Sequence, residues 1–429
     1  MTEQNETRTP PDPLAGSDET TSGPLAGPLA GLRVFDLTRI LAGPTCTQLL
    51  GDLGADVIKI ERPGQGDDTR KWGPPYVQDP EGRDTMESAY YLASNRNKRS
   101  VTIDIAKPEG QALARRLIAR CDILVENFKT GGLARYGLSY ADLRDDFPAL
   151  IYCSVTGFGQ TGPYAKRAGY DYLAQGMGGI MSLTGEPAGQ PMKVGIGIAD
   201  IVCGLYASTA ILAALRERDH TGRGQAIDMA LLDSQVAWLT YEGLNYLTSG
   251  RIPKRQGNEH PNIVPYNTMP CSDGHFILAV GNDSQFQKFC DFAGTPQLAA
   301  DPRFATNSQR IRNRDALYAI LPEITAKKSQ TEWVEGLNAI GVPAGPVNRL
   351  DQVFADQQVQ ARGMTVPLPY PGAKGDQVEL IANPIKFSDS AITYRQAPPK
   401  MGEHTEAVLR ELLDMDAGEI AALRETGVV

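Results

Sequence analysis

None of the six cysteines stands in a CxxC pair, and the four histidines show no HxxxH or HExxH spacing, so a zinc site has little support. Cys46, Cys121, Cys153, Cys203, Cys271 and Cys290 include several set in apolar runs such as "ARCDILV" and "LIYCSV". These read as buried, reduced thiols, which suits a cytoplasmic protein. There is no GxSxG, which argues against an ordinary α/β-hydrolase, and no GxxxxGK[ST], which argues against P-loop chemistry. "GMGGIMSLTG" is glycine-rich but does not follow a strand in the GxGxxG frame of a dinucleotide site. Positive charge is short: 42 Lys and Arg stand against 51 Asp and Glu, a net charge of -9. That excludes general nucleic-acid binding but allows a local basic pocket for a small anion. No uninterrupted apolar run of about 18 residues is evident, so no membrane span is expected. The N-terminus is polar, rich in Pro and Gly, repeats "PLAG" three times and has no apolar signal core. Residues 1–28 are expected to form a disordered tail.

What is present is an alternation of strand and helix signals. "LRVFDLT", "ADVIKIE", "RSVTIDI", "DILVENF" and "IYCSVTGFG" read as strands. "GPTCTQLLGDLG", "KPEGQALARRLIARC" and "SYADLRDDFPAL" read as the helices between them. Such βαβ repetition predicts an α/β fold with a parallel, doubly wound sheet, whose ligands meet loops after the strands' carboxyl ends. Residues 200–244 read as mostly helical. A strand pair or single strand at "CSDGHFILAVGND", helices over 284–340, short strands over 364–388 and the helix "HTEAVLRELL" follow. The expected layout is a large domain over 29–225 and 345–429, with a linker and small domain over 226–344.

Several cations fall at the expected loops: Arg62, Lys98, Arg99, Lys129 and Arg135. Each alone reads as a solvated surface charge; together they could hold a phosphate-bearing ligand. Two acids stand in unusual company. Asp171 lies in "AGYDYLAQGMGG" and Asp200 in "KVGIGIADIVCGLYASTA". Either could cap a helix, and either could form a covalent acyl intermediate. A helix N-terminus would keep Asp200 ionised, and its backbone N–H groups could hold an oxyanion. Pattern alone does not choose between the two acids.

Long blocks of the chain resemble the class III CoA-transferases, the CaiB–BaiF group. They include "LAGLRVFDLTRILAGPTCTQLLGDLGADVIKIERPGQGDDTR", "NRNKRSVTIDIAKPEG", "DILVENFKTGGLARYGL", "SVTGFGQTGPYAKRAGYDYLAQGMGGIMSLTG", "GIADIVCG", "RQGNEHPNIVPY" and "GEHTEAVL". The resemblance implies a Rossmann-like large domain built from both termini, a smaller inserted domain and an interlocked homodimer. It implies acyl-CoA and carboxylic acid substrates, with neither metal nor permanently bound cofactor. By resemblance Asp200 is the nucleophile, forming a mixed anhydride and then an enzyme–CoA thioester. The family's CoA contacts fall on Leu41, Ala42, Arg62, Asn127, Phe128, Lys129 and Arg135, more weakly on Ile103 and Ile105, and on Ala168, Gly169, Tyr170 and Asp171.

The chain departs from formyl-CoA transferases of this family, which carry a Gln where Leu41 stands, a Lys where Ala168 stands and a glycine-rich lid. "RQGNEHPNIVPY" instead resembles members acting on dicarboxylates, often with succinyl-CoA as donor. Arg255, Asn258 and His260 could hold a second carboxylate; the competing reading is a structural link between domains. Malate, citramalate, mesaconate, itaconate and glutarate are candidate acceptors. The superfamily's α-methylacyl-CoA racemases share the Asp but have a His where Tyr170 stands. A phenol, with a pKa of about 10, suits proton exchange at neutral pH poorly, which favours transfer. A non-catalytic CoA-binding protein is the third reading, and the retained Asp200 argues against it.

Overall fold

A computed structural model describes residues 26–429; the expectation for residues 1–25 lies outside the described residues. Order begins before residue 29. Gly27 packs on the Leu53–Gly54 backbone, and the buried Leu29 donates its N–H to the Leu53 carbonyl.

Strand β1 (Arg33–Leu37) leads through helix α1 (Ala42–Asp52) to β2 (Asp56–Glu61). A hairpin absent from the sequence reading, β3 (Tyr76–Gln78) and β4 (Asp84–Ser88), and the short α2 (Ala89–Leu92) precede β5 (Lys98–Thr102). Then come α3 (Pro108–Ile118), β6 (Ile123–Glu126), α4 (Tyr140–Leu143), β7 (Ile151–Thr156), α5 (Asp171–Met177), α6 (Ile180–Leu183), α7 (Ile198–Thr221) and β8 (Ala226–Ala230).

Six of these strands form one parallel sheet in the order β5-β2-β1-β6-β7-β8. Counted along the sheet's own strands this is the 3-2-1-4-5-6 order of a Rossmann fold. The chain reverses direction of travel between β1 and β6, and a crevice opens there at the carboxyl edge. Side chains alternate between two layers. Val34, Val57, Ile123 and Cys153 face α1 and α7, while Phe35, Ile58, Leu124 and Tyr152 face the layer holding α3.

The stretch 200–244 is mostly helical, as expected, but it also holds β8, a strand the sequence reading missed, which pairs with β7 from Tyr152↔Ala226 to Thr156↔Ala230. "AIDMA" is an edge strand with little buried surface, so its residues carry weak strand signal and β7 supplies the register. The boundary expected at 225 therefore falls just ahead of the sheet's sixth strand. The 24-residue α7 is long enough to cross a membrane, and an 18-residue window of it is apolar enough, with mean hydropathy 1.9, but more than half of that window is buried inside the fold, as in a core helix. Its apolarity comes from Ile198, Ile201, Val202, Leu205, Ile211, Leu212 and Leu215, with small residues interspersed between them. Here they serve packing: a Cβ placed at Gly204 would sit 2.6 Å from the Ala42 carbonyl oxygen, so α7 presses backbone-close onto α1.

Beyond β8 run α8 (Leu231–Ala237) and α9 (Thr240–Ser249). Strands β9 (Tyr266–Cys271) and β10 (Gly274–Ala279) form an antiparallel pair. Helices α10 (Asp283–Phe292), α11 (Pro296–Ala300), α12 (Asn307–Arg312), α13 (Arg314–Thr325) and α14 (Gln330–Ala339) and strand β11 (Ala344–Pro346) follow. They enclose their own core around Phe276, Phe289 and Trp333. After α15 (Leu350–Ala355) and α16 (Gln357–Ala361), the hairpin β12 (Thr365–Pro369) and β13 (Gln377–Ile381) covers Leu92. The final helices α17 (Thr405–Leu413) and α18 (Ala417–Glu425) return to the large sheet. Val408, Leu409 and Ile420 pack beside Phe35 and Leu117.

Candidate active site

The crevice between β1 and β6 is bridged by side chain and backbone. Asn127, just past β6, accepts from the Arg39 N–H at 3.0 Å and donates Nδ2 to the Arg39 carbonyl at 2.7 Å. Asn127 therefore joins the loops after both strands. A cavity of about 300 Å³ opens beside this joint. Its lining brings together five expected contacts, Arg62, Ile103, Ile105, Phe128 and Arg135, from loops distant in sequence. Arg62 and Arg135 are exposed and make no ion pair among the described residues, so both cations are available to phosphates. Arg39, which the sequence reading missed, also lines the cavity, lies 5.9 Å from the Phe128 ring and pairs with Asp68 at 2.9 Å. Lys129 is exposed next to Phe128 but outside the lining.

Lys98 and Arg99, expected among the ligand cations, are consumed internally. Lys98 is fully buried, 3.2 Å from Asp36, and donates to the Pro44 carbonyl and Asn95. Arg99 pairs with Asp56 and Glu411. Both begin β5, at the end of the strand opposite the ligand edge. Lys98 belongs to a buried floor of compensated charge. Lys59 Nζ meets Asp67 at 2.8 Å and the Thr38 carbonyl at 2.9 Å. Arg70 holds Glu61 with two bonds and Glu87 with one. Burial alone would raise the pKa of Asp36 and Glu61; the facing cations and hydroxyls reverse this and lower both.

Asp200 stands in the first turn of α7, whose N-cap is Gly197, so Asp200 is not the cap. Its own N-terminal half-turn is closed by the other acid. Asp171 Oδ1 accepts from Ala199 N–H at 2.8 Å and Asp200 N–H at 3.5 Å. Asp171 does not cap its own helix either; it begins α5, whose N-cap Tyr170 makes no side-chain bond. A Cβ placed at Gly197 would lie 3.0 Å from Leu41 Cδ2 and 3.6 Å from Asp171 Cγ. That glycine brings Leu41, the residue before α1, against the entry to α7, with Ala42 buried behind it. Gly169 fits because Gly157 faces it: a Cβ on Gly169 would be 2.2 Å from Gly157 Cα. This crossing sets Ala168, Gly169 and Tyr170 at the end of β7, with Ala168 and Tyr170 exposed.

The Asp200 side chain is largely buried and makes no hydrogen bond or ion pair among the described residues. Burial, with the Asp171 charge beside it, pushes its carboxyl up to about 7. Desolvation and the like charge of Asp171 work against the ionisation that a helix N-terminus favours. The expected oxyanion donors are corrected, since Asp171 already occupies the Ala199 and Asp200 N–H groups. Tyr90, on α2, is a neighbour the sequence reading missed. Its phenol is raised by burial and by the charges of Asp200 and Asp171, and it meets Trp72 edge-on at 5.2 Å.

Arg255, Asn258 and His260 lie apart from the cavity. Arg255 donates to the Gly189 and Glu186 carbonyls at 2.6 and 3.3 Å. His260 is enclosed by Tyr241 and Tyr266, each 5.3 Å away, and its Nδ1 accepts from Asn262 N–H. Asn258 is exposed. Arg314 gathers this segment by bonds to Gln256, Glu259 and the carbonyls of His260 and Pro261.

The model of CoA-transferase family III matches residues 29–405. A succinate–glutarate CoA-transferase of Agrobacterium fabrum is 51% identical over 385 residues, covering 90% of this chain and 96% of the relative. The human succinyl-CoA:glutarate CoA-transferase is 41% identical, covering 94% of this chain and 90% of the relative. The crystal structure of a CAIB/BAIF family protein from Brucella suis superposes with a TM-score of 0.79 at 52% identity, over 90% of this chain and all of that one. With a Rossmann sheet, a basic crevice and a buried acid at its edge, the chain belongs to CoA-transferase family III.

Proposed function

We propose that this CoA-transferase moves CoA from succinyl-CoA to a dicarboxylate, glutarate first among the candidates, through covalent intermediates on Asp200. The observation that carries the reading is a buried, unpartnered carboxylate at the first turn of α7, with a second acid fixed beside it. The relatives' names support the donor and acceptor classes.

In the proposed cycle the Asp200 carboxylate attacks the thioester carbonyl, the C–S bond breaks and CoA leaves as thiolate. The thiolate attacks the aspartyl carbonyl of the mixed anhydride, releasing succinate and leaving an enzyme–CoA thioester. The acceptor carboxylate attacks that thioester, releasing thiolate and forming a second anhydride. Thiolate then attacks the acceptor's carbonyl, giving the new acyl-CoA and restoring Asp200. Each step exchanges one activated acyl bond for another, so neither ATP nor a resident cofactor enters. Burial supports this chemistry: a desolvated carboxylate is a stronger nucleophile, and exclusion of water protects the anhydride. Arg62 and Arg135 are the proposed phosphate partners. Arg255 is anchored by two carbonyls, with Nη1 unengaged among the described residues, and is proposed for the acceptor's distal carboxylate together with Asn258 and His260.

The working unit is proposed to be an interlocked homodimer in the cytoplasm, with the core around Trp333 as an inserted domain. The chain exposes 23385 Å², whereas a compact monomer of 46.4 kDa exposes about 16,000 Å². The undescribed 25 residues cannot supply the difference, since even a fully unfolded stretch of that length exposes only about 4,000 Å². Leu205, Tyr206 and Leu212 of α7 and Leu244 and Leu247 of α9 are exposed, as an obligate partner's face requires.

Hydroxylamine trapping with succinyl-CoA tests the nucleophile. Wild type is expected to yield a hydroxamate at Asp200 and an enzyme–CoA adduct by intact mass. Asp200→Ala is expected to yield neither and to lose transfer by about 10⁴-fold or more. Transfer by Asp200→Ala at the wild-type rate overturns the reading.

A further inference from the structure

The loop entering α7 is tied to α5 by one buried side chain. Gln175 is fully buried. Its Nε2 donates to Asp171 Oδ2 at 2.7 Å and to the Ile196 carbonyl at 3.3 Å. Its Oε1 accepts from the Val194 N–H at 2.9 Å. Two acceptors face the nitrogen and one donor faces the oxygen, so only one orientation of the amide satisfies the site. The other oxygen of Asp171 is the one that accepts from Ala199 and Asp200. Gln175 thus holds one side of the carboxylate whose other side closes the first turn of α7. It makes no hydrogen bond to Asp200 and does not line the CoA cavity.

We propose that Gln175 is a positioning residue for the transferase reaction, acting through Asp171 to fix the direction and charge of the carboxylate beside Asp200. The proposal rests on the reading of Asp200 as nucleophile. An amide suits the role for a stated reason. A carboxylate there could not donate to Ile196 and would set a second negative charge against Asp171. A leucine would fill the space while leaving Asp171 Oδ2, the Ile196 carbonyl and the Val194 N–H without their partner. With its donor gone, Asp171 is freed to turn away, and Asp200 loses the neighbouring charge that raises its pKa.

The ionisable groups facing Asp200 are Asp171 from α5, Tyr90 from α2 and Cys203 one turn along α7. Burial raises both the phenol and the thiol, so they stay neutral at and below neutral pH, where the acid limb is read. Asp171 is therefore the charge that Gln175 governs.

The test compares full-length wild type, Gln175→Leu, Gln175→Glu and Asp200→Asn. Transfer from succinyl-CoA to glutarate is followed across about pH 5 to 9, with thermal melting as the check on folding. Gln175→Leu is expected to lower kcat about 10- to 100-fold. Its KM for succinyl-CoA is expected to stay within about threefold of wild type, because the cavity is untouched. The acid limb of kcat/KM is expected to move down for Gln175→Leu and up for Gln175→Glu, each by about half a unit or more. A purely structural role lowers activity in both variants and leaves the limb in place; that result overturns the proposal, as does a limb moving the same way in both. Should either variant fail to fold, the direction of the limb in the other decides. Asp200→Asn separates the two readings. If it is inactive while the limbs do not move, the Gln175 proposal alone fails; if it transfers CoA, both fail.

Discussion

Two groups of buried charge lie within the same sheet domain and are treated in opposite ways. Under the carboxyl edge, Asp36, Glu61 and Asp67 each face a lysine or arginine and accept further hydrogen bonds. At the entry to α7, Asp200 faces another acid, with no cation bonded to either among the described residues. The first arrangement offsets the cost of burial and holds the loops after β1 and β2 in one geometry. The second leaves that cost in place and yields a carboxylate whose ionisation is poised near neutrality. The floor compensates its buried charge, and the corner at Asp200, the proposed nucleophile, does not.

Breaking the floor should have the larger effect on folding. Lys98→Met leaves Asp36 buried without its closest cation and is expected to destabilise the chain by about 3–5 kcal/mol in urea unfolding. A loss under about 1 kcal/mol would mean that Thr38, Thr47 and Lys59 suffice for Asp36.

The corner should respond with the opposite sign. The Asp200 carboxyl moves from its ordinary 3.8 up to about 7, so the folded protein holds that proton more tightly than the unfolded chain. Its contribution to stability is complete below about pH 4 and is lost as pH rises to about 7. Asp200→Asn has no charge to bury. It is expected to be more stable than wild type at pH 8 by roughly 2–4 kcal/mol, with the advantage shrinking towards pH 4. Calorimetry at both pH values measures this, and a pH-independent difference would contradict the assignment.

The smallest effect separates charge from capping at Asp171. Asp171→Asn keeps an oxygen for the Ala199 N–H and removes the charge. The acid limb of kcat/KM is expected to fall by about one pH unit, read from initial rates in a constant-ionic-strength buffer series. An unmoved limb would leave burial as the sole cause of the Asp200 shift.

Much of this was legible beforehand. Val-, Ile- and Leu-rich runs separated by helical periodicity gave five of the six sheet strands, because parallel strands are buried on both faces. Edge strand β8 was not legible, since "AIDMA" buries little and owes its conformation to β7. Arg62 and Arg135 were placed at loops after the strands, whereas Ile103, Ile105 and Phe128 came from the family resemblance; all five line one cavity, as loops after parallel strands converge. Lys98 and Arg99 misled, because a cation's position in sequence does not say whether an acid on a neighbouring strand already holds it. Tyr90 was not legible as a neighbour of Asp200, since it shares no element with it.

The sequence by itself determined the strand–helix alternation, the glycines that permit close approach and the pair of acids that had to be explained. Only the tertiary structure decided what each acid does. Asp171 and Asp200 are 29 residues apart, and both begin helices in apolar surroundings. Their roles diverge because α5 packs against the first turn of α7. One carboxylate finds backbone N–H groups and a buried amide; the other finds only a low-dielectric pocket and its neighbour's charge. Hydrogen-bond partners and desolvation are properties of the packed interior, and they are what turn one acid into a cap and leave the other unpartnered.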